Sequence, residues 1–440
     1  MTTAIARNLD LASALADAEE RFTRANPDSK RRYDGATKVM PGGNTRTVLF
    51  FGPFPLTIAR GEGCQLWDTD GHRYVDFLGE YSAGLYGHSN PIIRAAIERA
   101  LADGIALGGH NKVEAELASL VCARFPSLER VRFCNSGTEA NLFALVAARA
   151  HTGRNKIMVM QGGYHGGVFY FSGDGSPINA PFSFVKTRYN DIEGTLKLIE
   201  LHARDLAAVI VEPMMGGGGC IAADAEFLRM LREATRKHGV VLIFDEVMTS
   251  RLTPSGLQGK HGITPDLTTL GKYIGGGLTF GGFGGRAEIM DRFDPRRPDA
   301  WPHAGTFNNN ILTMSAGAAG LSQVYTPEVA VSFNARGDKL RARLNALAEK
   351  RGLPVQFTDI GSMMTVHVLR GAIRSPDDLA RKDKRWADLF HLDMIGRGYY
   401  LARRGMITLS LPMTDADLDG FAQAIEDWLD ERRDLIAAGA

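Results

Sequence analysis

Long apolar runs are missing from this 440-residue sequence, and no stretch approaches the roughly 20 apolar residues that a membrane span requires. An excess of one charge is missing too. Lys and Arg number 51 against 50 acidic residues, a formal net charge of +1, so there is no electrostatic footprint for nucleic acid or an anionic membrane. Cysteine is scarce. Cys64, Cys122, Cys134 and Cys220 lie far apart and form no CxxC. That spacing argues against a disulfide frame or a zinc site and reads as reduced thiols of a cytoplasmic protein. The start, MTTAIARNLDLASALADAEERF, carries acids inside its apolar periodicity. It reads as an amphipathic helix with no signal-peptide core.

Several catalytic signatures are absent as well. No GxxxxGK[ST] appears, so a nucleotide P-loop is excluded. No GxGxxG opens a helix after a first strand with an acid about 20 residues on, which removes the dinucleotide reading. There is no HExxH and no tight His/Cys/Asp cluster among the 11 histidines, so no metal site is expected. An acyl-transfer nucleophile in GxSxG is not found either.

Glycine is what the sequence has in excess, at 50 residues. Much of it clusters as GGYHGG (162–167), GGGG (216–219), GGG (275–277) and GGFGG (281–285). Such clusters let a backbone approach a ligand or another chain closely.

Between these clusters, apolar strand-like runs alternate with helical patterns. VRFCN (131–135) precedes a helical TEANLFALVAARAHTG. KIMVM (156–160) and LAAVIVEP (206–213) follow, then the helix EFLRMLREATRKHG (226–239), VVLIFDEV (240–247), LTTLG (267–271) and FGGFGG (280–285). The alternation predicts an α/β fold with a mostly parallel sheet covered on both faces. Ligands bind such sheets beyond the C-terminal strand ends. Ser136, Glu212, Asp245 and Lys272 all fall at or just after strand ends, at one rim. Residues 76–330 are read as this large domain. An α+β lobe is assembled from both chain ends, 1–75 and 331–440. Asp70-Gly71, between LWD and YVDF, reads as a hairpin turn.

Three motifs carry chemistry. In NSGTEAN (135–141), Ser136, Gly137 and Thr138 lie between a strand and a helix. Hydroxyls and free N–H groups there suit a phosphate, although from this motif alone a plain N-cap with Glu139 in the first turn is the commoner reading. Asp245, behind Leu242, Ile243 and Phe244, is at least half buried and needs a proton-bearing or positive partner. A protonated ring nitrogen would serve; so would a structural role. Lys272, boxed by glycines at a strand end, loses solvation and is suited to Schiff-base chemistry. With Tyr164 as a stacking aromatic, these pieces describe a site for pyridoxal 5′-phosphate.

NSGTEAN, GGYHGG, VEP, FDEVMTSR, PDLTTLGKYIGGG, FGGFGGR and GTFNNN occur in the order and spacing of class III aminotransferases. The chain resembles that family, of fold type I, over residues 35–415. It is similar in particular to the aromatic β-amino acid (β-phenylalanine) aminotransferases, through PGGNTRTVLFFGPFPLTIARGEG, YHGGV, DEVMTSRL and LARRGMITLSLPMTDAD. It resembles the glutamate-1-semialdehyde aminomutases more distantly.

The resemblance implies a large domain with a seven-stranded, mostly parallel sheet and a smaller α+β domain. It implies pyridoxal 5′-phosphate with Lys272 as its covalent anchor and proton shuttle. Asp245 would pair with the ring N–H, and Tyr164 would stack. Ser136, Gly137 and Thr138 would bind phosphate, while His165, Glu212 and Val247 would line the cofactor. Thr306 would reach the phosphate of a neighbouring subunit, making a homodimer. Arg46 would hold the carboxylate of a β-amino acid. Arg404 would swing in for a dicarboxylate keto acid, with Arg403 beside it as the competing position.

The small-molecule donor would pass its amino group to 2-oxoglutarate or pyruvate by ping-pong transamination. Thr45-Arg46-Thr47-Val48 departs from the aminomutase segment and argues against that activity. An ω-amine transaminase remains a second alternative. Intact Lys272, Asp245 and Thr306 argue against a silent, merely cofactor-binding relative.

Overall fold

The computed structural model describes residues 10–439. The first helix runs Leu11–Ala25, with the Asp10 carboxylate accepting from the N–H groups of Ala12 and Ser13. The first nine residues of the expected amphipathic segment lie outside the described residues.

Sixteen strands follow in chain order. β1 (Ile58–Glu62), β2 (Gln65–Asp68) and β3 (Arg73–Asp76) form an antiparallel set, with Asp70-Gly71 in the β2–β3 hairpin. β4 (Arg130–Cys134), β5 (Lys156–Met160), β6 (Ser183–Thr187) and β7 (Leu206–Val211) lead into the short hairpin β8 (Met214–Met215) and β9 (Ile221–Ala222). β10 (Val241–Asp245), β11 (Leu267–Gly271) and β12 (Gly281–Gly285) come next. The last are β13 (Val355–Thr358), β14 (Met363–Val368), β15 (Tyr399–Tyr400) and β16 (Met406–Thr408).

The main sheet has seven strands in the order β4-β12-β11-β10-β7-β5-β6. β12 runs antiparallel to both neighbours, and the other pairs are parallel. Alternate residues of each strand face opposite layers. Ile157, Val159, Ile210 and Ile243 pack with the helix Gly137–Thr152 on one side. Met158, Met160, Val211 and Phe244 pack with the helix Ala225–His238 on the other. Coverage on both faces explains why β7 reads LAAVIV with every residue buried.

The local signals agree with the elements. Ser136 caps its helix through Oγ, and Gly153 ends it with φ 68°. Gly239 ends the other with φ 61°.

At the far end of the chain, β13, β14 and β16 form an antiparallel sheet. β15 joins the N-terminal set, parallel to β3. Among the described residues no helix is long and apolar enough to cross a membrane. No cluster of His, Cys, Asp or Glu suited to a metal ion occurs among them either.

Candidate active site

The parallel strands end at one rim. Pairing of β10 with β11 sets Asp245 beside Thr269, three residues short of Lys272. Asp245 is 4% exposed. Its Oδ2 accepts from His165 Nδ1 and Asn141 Nδ2, both at 2.8 Å, and its Oδ1 accepts from the Val247 N–H at 3.0 Å. Asn141 is itself fixed, donating to the His165 carbonyl at 2.9 Å and accepting from Thr269 Oγ1 at 2.6 Å. An ionised carboxylate offers about four acceptor positions, so three donors leave one for a ring N–H. His165 Nε2 is buried without a partner.

The helix Gly137–Thr152 presents its N-terminus to the same rim. Ser136 Oγ accepts from the Glu139 N–H at 3.2 Å, so the plain cap is realised. The N–H groups at the helix start have no intrahelical acceptor and suit an anion. Thr138 Oγ1 accepts from the Gly167 N–H at 3.1 Å and ties this turn to the GGYHGG loop. Val247 fills the space between the two motifs. A Cβ added at Gly137 would lie 2.9 Å from its side chain, and one at Gly271 3.1 Å.

Tyr164 is 45% exposed, with its ring edge-on to Tyr170 at 6.1 Å. Its N–H donates to Glu212 Oε1 at 3.0 Å, while Glu212 Oε2 accepts from the Gly216 N–H at 3.1 Å. Burial, and then the nearby Asp245 charge, hold the Glu212 carboxyl up at about 7, against the opposing pull of His165.

Lys272 follows β11 directly and has φ 57°. A side chain in that left-handed region costs about 1–3 kcal/mol and persists where surrounding packing enforces it. Burial, then Arg404 and Arg46, bring the amine down to about 8.

Those two arginines lie near one ring. The Arg46 guanidinium lies 5.7 Å from the Tyr81 ring centroid and that of Arg404 5.1 Å. Arg46 pairs with Glu80, and both side chains are about half exposed. An exposed pair of this kind contributes little and is readily exchanged for another carboxylate. Besides the Tyr81 ring, Arg404 makes a weak hydrogen bond, Nη2 to Met406 Sδ at 3.2 Å, and its buried Nε has no acceptor among the described residues. Arg403 instead grips Asp388 through Nε at 2.5 Å and Nη2 at 3.2 Å. The adjacent arginines thus differ in partner: Arg403 is paired with Asp388, while Arg404 lies near the Tyr81 ring.

Thr306 stands apart from this set, on an exposed turn beside Phe307, which is 64% exposed. The turn is fastened to the phosphate-side motif by Asn135 Nδ2 donating to Asn308 Oδ1 at 3.0 Å.

Sequence reasoning missed Asn141, Glu80 and Tyr81. Asn141 sits inside NSGTEAN, one turn into the helix, where its spacing from Ser136 offered a signal. Glu80 and Tyr81 belong to a left-handed turn, with Gly79, Glu80, Tyr81 and Ser82 at φ 52°, 47°, 52° and 78°. No glycine or asparagine run marks that conformation.

A buried acid with an acceptor position to spare, a helix N-terminus, a half-exposed tyrosine and a desolvated lysine fit a phosphorylated pyridine aldehyde. The fold is that of the fold type I pyridoxal-phosphate transferases. Comparison with known proteins agrees. The model of the class III aminotransferase family matches residues 51–385, and the chain belongs to that family, whose members depend on pyridoxal 5′-phosphate.

The chain is 54% identical to the beta-phenylalanine transaminase of Variovorax paradoxus, over 94% of this chain and 96% of that one. The crystal structure of a beta-phenylalanine aminotransferase from Variovorax paradoxus superimposes with a TM-score of 0.95 at 53% identity, covering 96% and 98% of the two chains. Glutamate-1-semialdehyde 2,1-aminomutase 2 of Bacillus licheniformis is 38% identical over 92% of this chain and 97% of its own length.

Proposed function

We propose that this aminotransferase takes its amino group from an aromatic β-amino acid of the β-phenylalanine type and delivers it to 2-oxoglutarate or pyruvate. The observation that carries the reading is the pair of guanidinia, Arg46 and Arg404, both near the Tyr81 ring (5.7 and 5.1 Å from its centroid) and close enough to Lys272 to lower its pKa. The similarity to the Variovorax paradoxus enzyme supports the same donor class.

The cofactor supplies an aldehyde that exchanges between amines, and a ring that delocalises the electron pair left when a proton leaves the carbon bearing nitrogen. The protein's residues do the rest. Asp245, oriented by Asn141 and His165, keeps the ring nitrogen protonated. The N-terminus of Gly137–Thr152, with Ser136 and Thr138, would hold the phosphate. Tyr164, Val247 and Glu212 would line the pocket around the ring. Lys272 would anchor the cofactor through its amine, and its neutral Nζ would serve as the base that moves the proton of the amine-bearing carbon.

A β-amino acid carries its carboxylate one carbon farther from the reacting centre than an α-amino acid. Arg46 enters from the N-terminal segment and meets it there, exchanging Glu80 for the substrate. A guanidinium grips a carboxylate bidentately. Arg404, which has no carboxylate partner, serves the second carboxylate of a dicarboxylate acceptor.

The active unit is a homodimer in which Thr306 completes the neighbouring phosphate site. Exposed Phe307 beside it supports a surface covered by a second copy. Four free thiols support a reducing, cytoplasmic setting.

The test is the visible absorption of the purified holoenzyme before and after racemic β-phenylalanine. Bleaching of the lysine-bound band without added keto acid, restored by 2-oxoglutarate or pyruvate, is the expected result. A band indifferent to β-phenylalanine overturns the donor assignment. Turnover of a glutamate semialdehyde without any external acceptor would point to the aminomutase reaction instead.

A further inference from the structure

Arg251 is fully buried. No carboxylate lies within ion-pair reach of it among the described residues. A buried cation without a counter-charge is expensive and survives where its donors meet a specific need. Here they meet two main-chain carbonyls from distant parts of the chain. Nη1 donates to Ser82 O at 3.1 Å and Nη2 to Leu409 O at 2.5 Å. The face of Phe333 lies 5.6 Å from the guanidinium. The residue is anchored in turn, because its own carbonyl accepts from Asn334 Nδ2 at 2.9 Å and from the Tyr325 hydroxyl.

The two carbonyls lead to the two substrate arginines. Ser82 closes the left-handed turn Gly79–Ser82, whose Glu80 pairs with Arg46 and whose Tyr81 ring lies near both guanidinia. The opposite end of that turn is held by Asp76 Oδ1, accepting from the Leu78 and Gly79 N–H groups at 2.9 and 3.0 Å. Leu409 directly follows β16, and the turn before β16 carries Arg404. The Thr249–Arg251 turn is also fixed to the lysine, since the Tyr273 hydroxyl donates to Ser250 O at 3.1 Å.

We propose that Arg251 is a positioning residue for substrate carboxylates: it holds the Glu80–Tyr81 turn and the Arg404 arm at a set distance from Lys272. The proposal rests on the β-amino acid reading above. An apolar replacement leaves two buried carbonyls unpaired and frees a turn that three non-glycine residues hold in a strained conformation.

The test uses holoenzyme and 3-phenylpropanoate, which has the donor's carboxylate and no amine. Arg251→Met is expected to weaken its binding by about tenfold, read by calorimetry, and to raise KM for β-phenylalanine by a similar factor while kcat falls less and the visible cofactor band stays. Arg251→Lys keeps the charge and serves one carbonyl, and is expected to recover part of the loss. If the methionine variant does not fold, the lysine variant carries the test with a weakening of about threefold. Unchanged 3-phenylpropanoate affinity in a folded variant overturns the proposal. So does a loss confined to kcat or to cofactor retention. A parent enzyme that does not bind 3-phenylpropanoate marks failure of the donor reading itself, before any variant is made.

Discussion

Lys272 acts as a nucleophile only when its amine is neutral, and its surroundings lower the pH at which that happens. With the amine brought to about 8 by burial and by Arg404 and Arg46, capture of added cofactor by the apoenzyme should accelerate as pH rises through about 8. Arg404→Leu removes one of the two cations, so the stopped-flow midpoint should move to higher pH. A midpoint that stays put would show that burial alone sets it. Arg46→Ala should raise KM for β-phenylalanine by about ten- to hundredfold, the worth of a charge-assisted hydrogen bond, and affect a carboxylate-free aromatic amine far less. Equal losses on both substrates would remove Arg46 from the carboxylate site.

Glu212 offers a third residue-level test. It accepts an N–H on each oxygen, and a glutamine can accept on only one. Glu212→Gln should therefore cost about 1–3 kcal/mol of stability, seen as a lowered denaturant midpoint. What was legible at this scale was chemistry tied to strand ends. Ser136, Asp245 and Lys272 stand where the sequence pattern puts them. Tyr81 and Arg251 were not legible, since one depends on a left-handed turn and the other on carbonyls supplied by residues far away in the chain.

At the scale of elements, β12 shows why glycine gathers in GGFGG. A Cβ added at Gly281 would lie 2.1 Å from the Ser136 carbonyl, so this antiparallel strand sits hard against the start of the phosphate-side helix. Gly281→Ala should displace that helix N-terminus and weaken cofactor retention by about tenfold or more, measured as the dissociation constant of pyridoxal 5′-phosphate. Retention equal to the parent would separate the strand from the phosphate site.

Most core elements announced themselves. β5 and β11 occupy the residues read from the sequence, because short apolar runs bounded by turn signals have one reading in an alternating α/β pattern. The edge strand β6 and the helix Ile192–Leu201 did not. SFVKT is half polar, and an edge strand covered on fewer sides needs no continuous apolar run. β15, only Tyr399–Tyr400, is defined by pairing with β3 and has no local signature.

At the scale of the whole molecule, the proposed homodimer would tie assembly to catalysis through the exposed Thr306–Phe307 turn. Phe307→Asp should convert dimers to monomers in light scattering and reduce cofactor retention together. Monomers that keep the cofactor as tightly as the parent would place Thr306 outside the neighbouring site.

The junction of β3 with β15 has a consequence in time. β3 and its parallel neighbour β15 are far apart in sequence, so β3 is made long before β15. At the usual pace of translation that interval is on the order of tens of seconds. For all of it, the outer side of β3 is an unpaired strand edge, able to accept any passing strand. The nascent chain is thus open to misassembly along β3 until β15 is made and covers that edge.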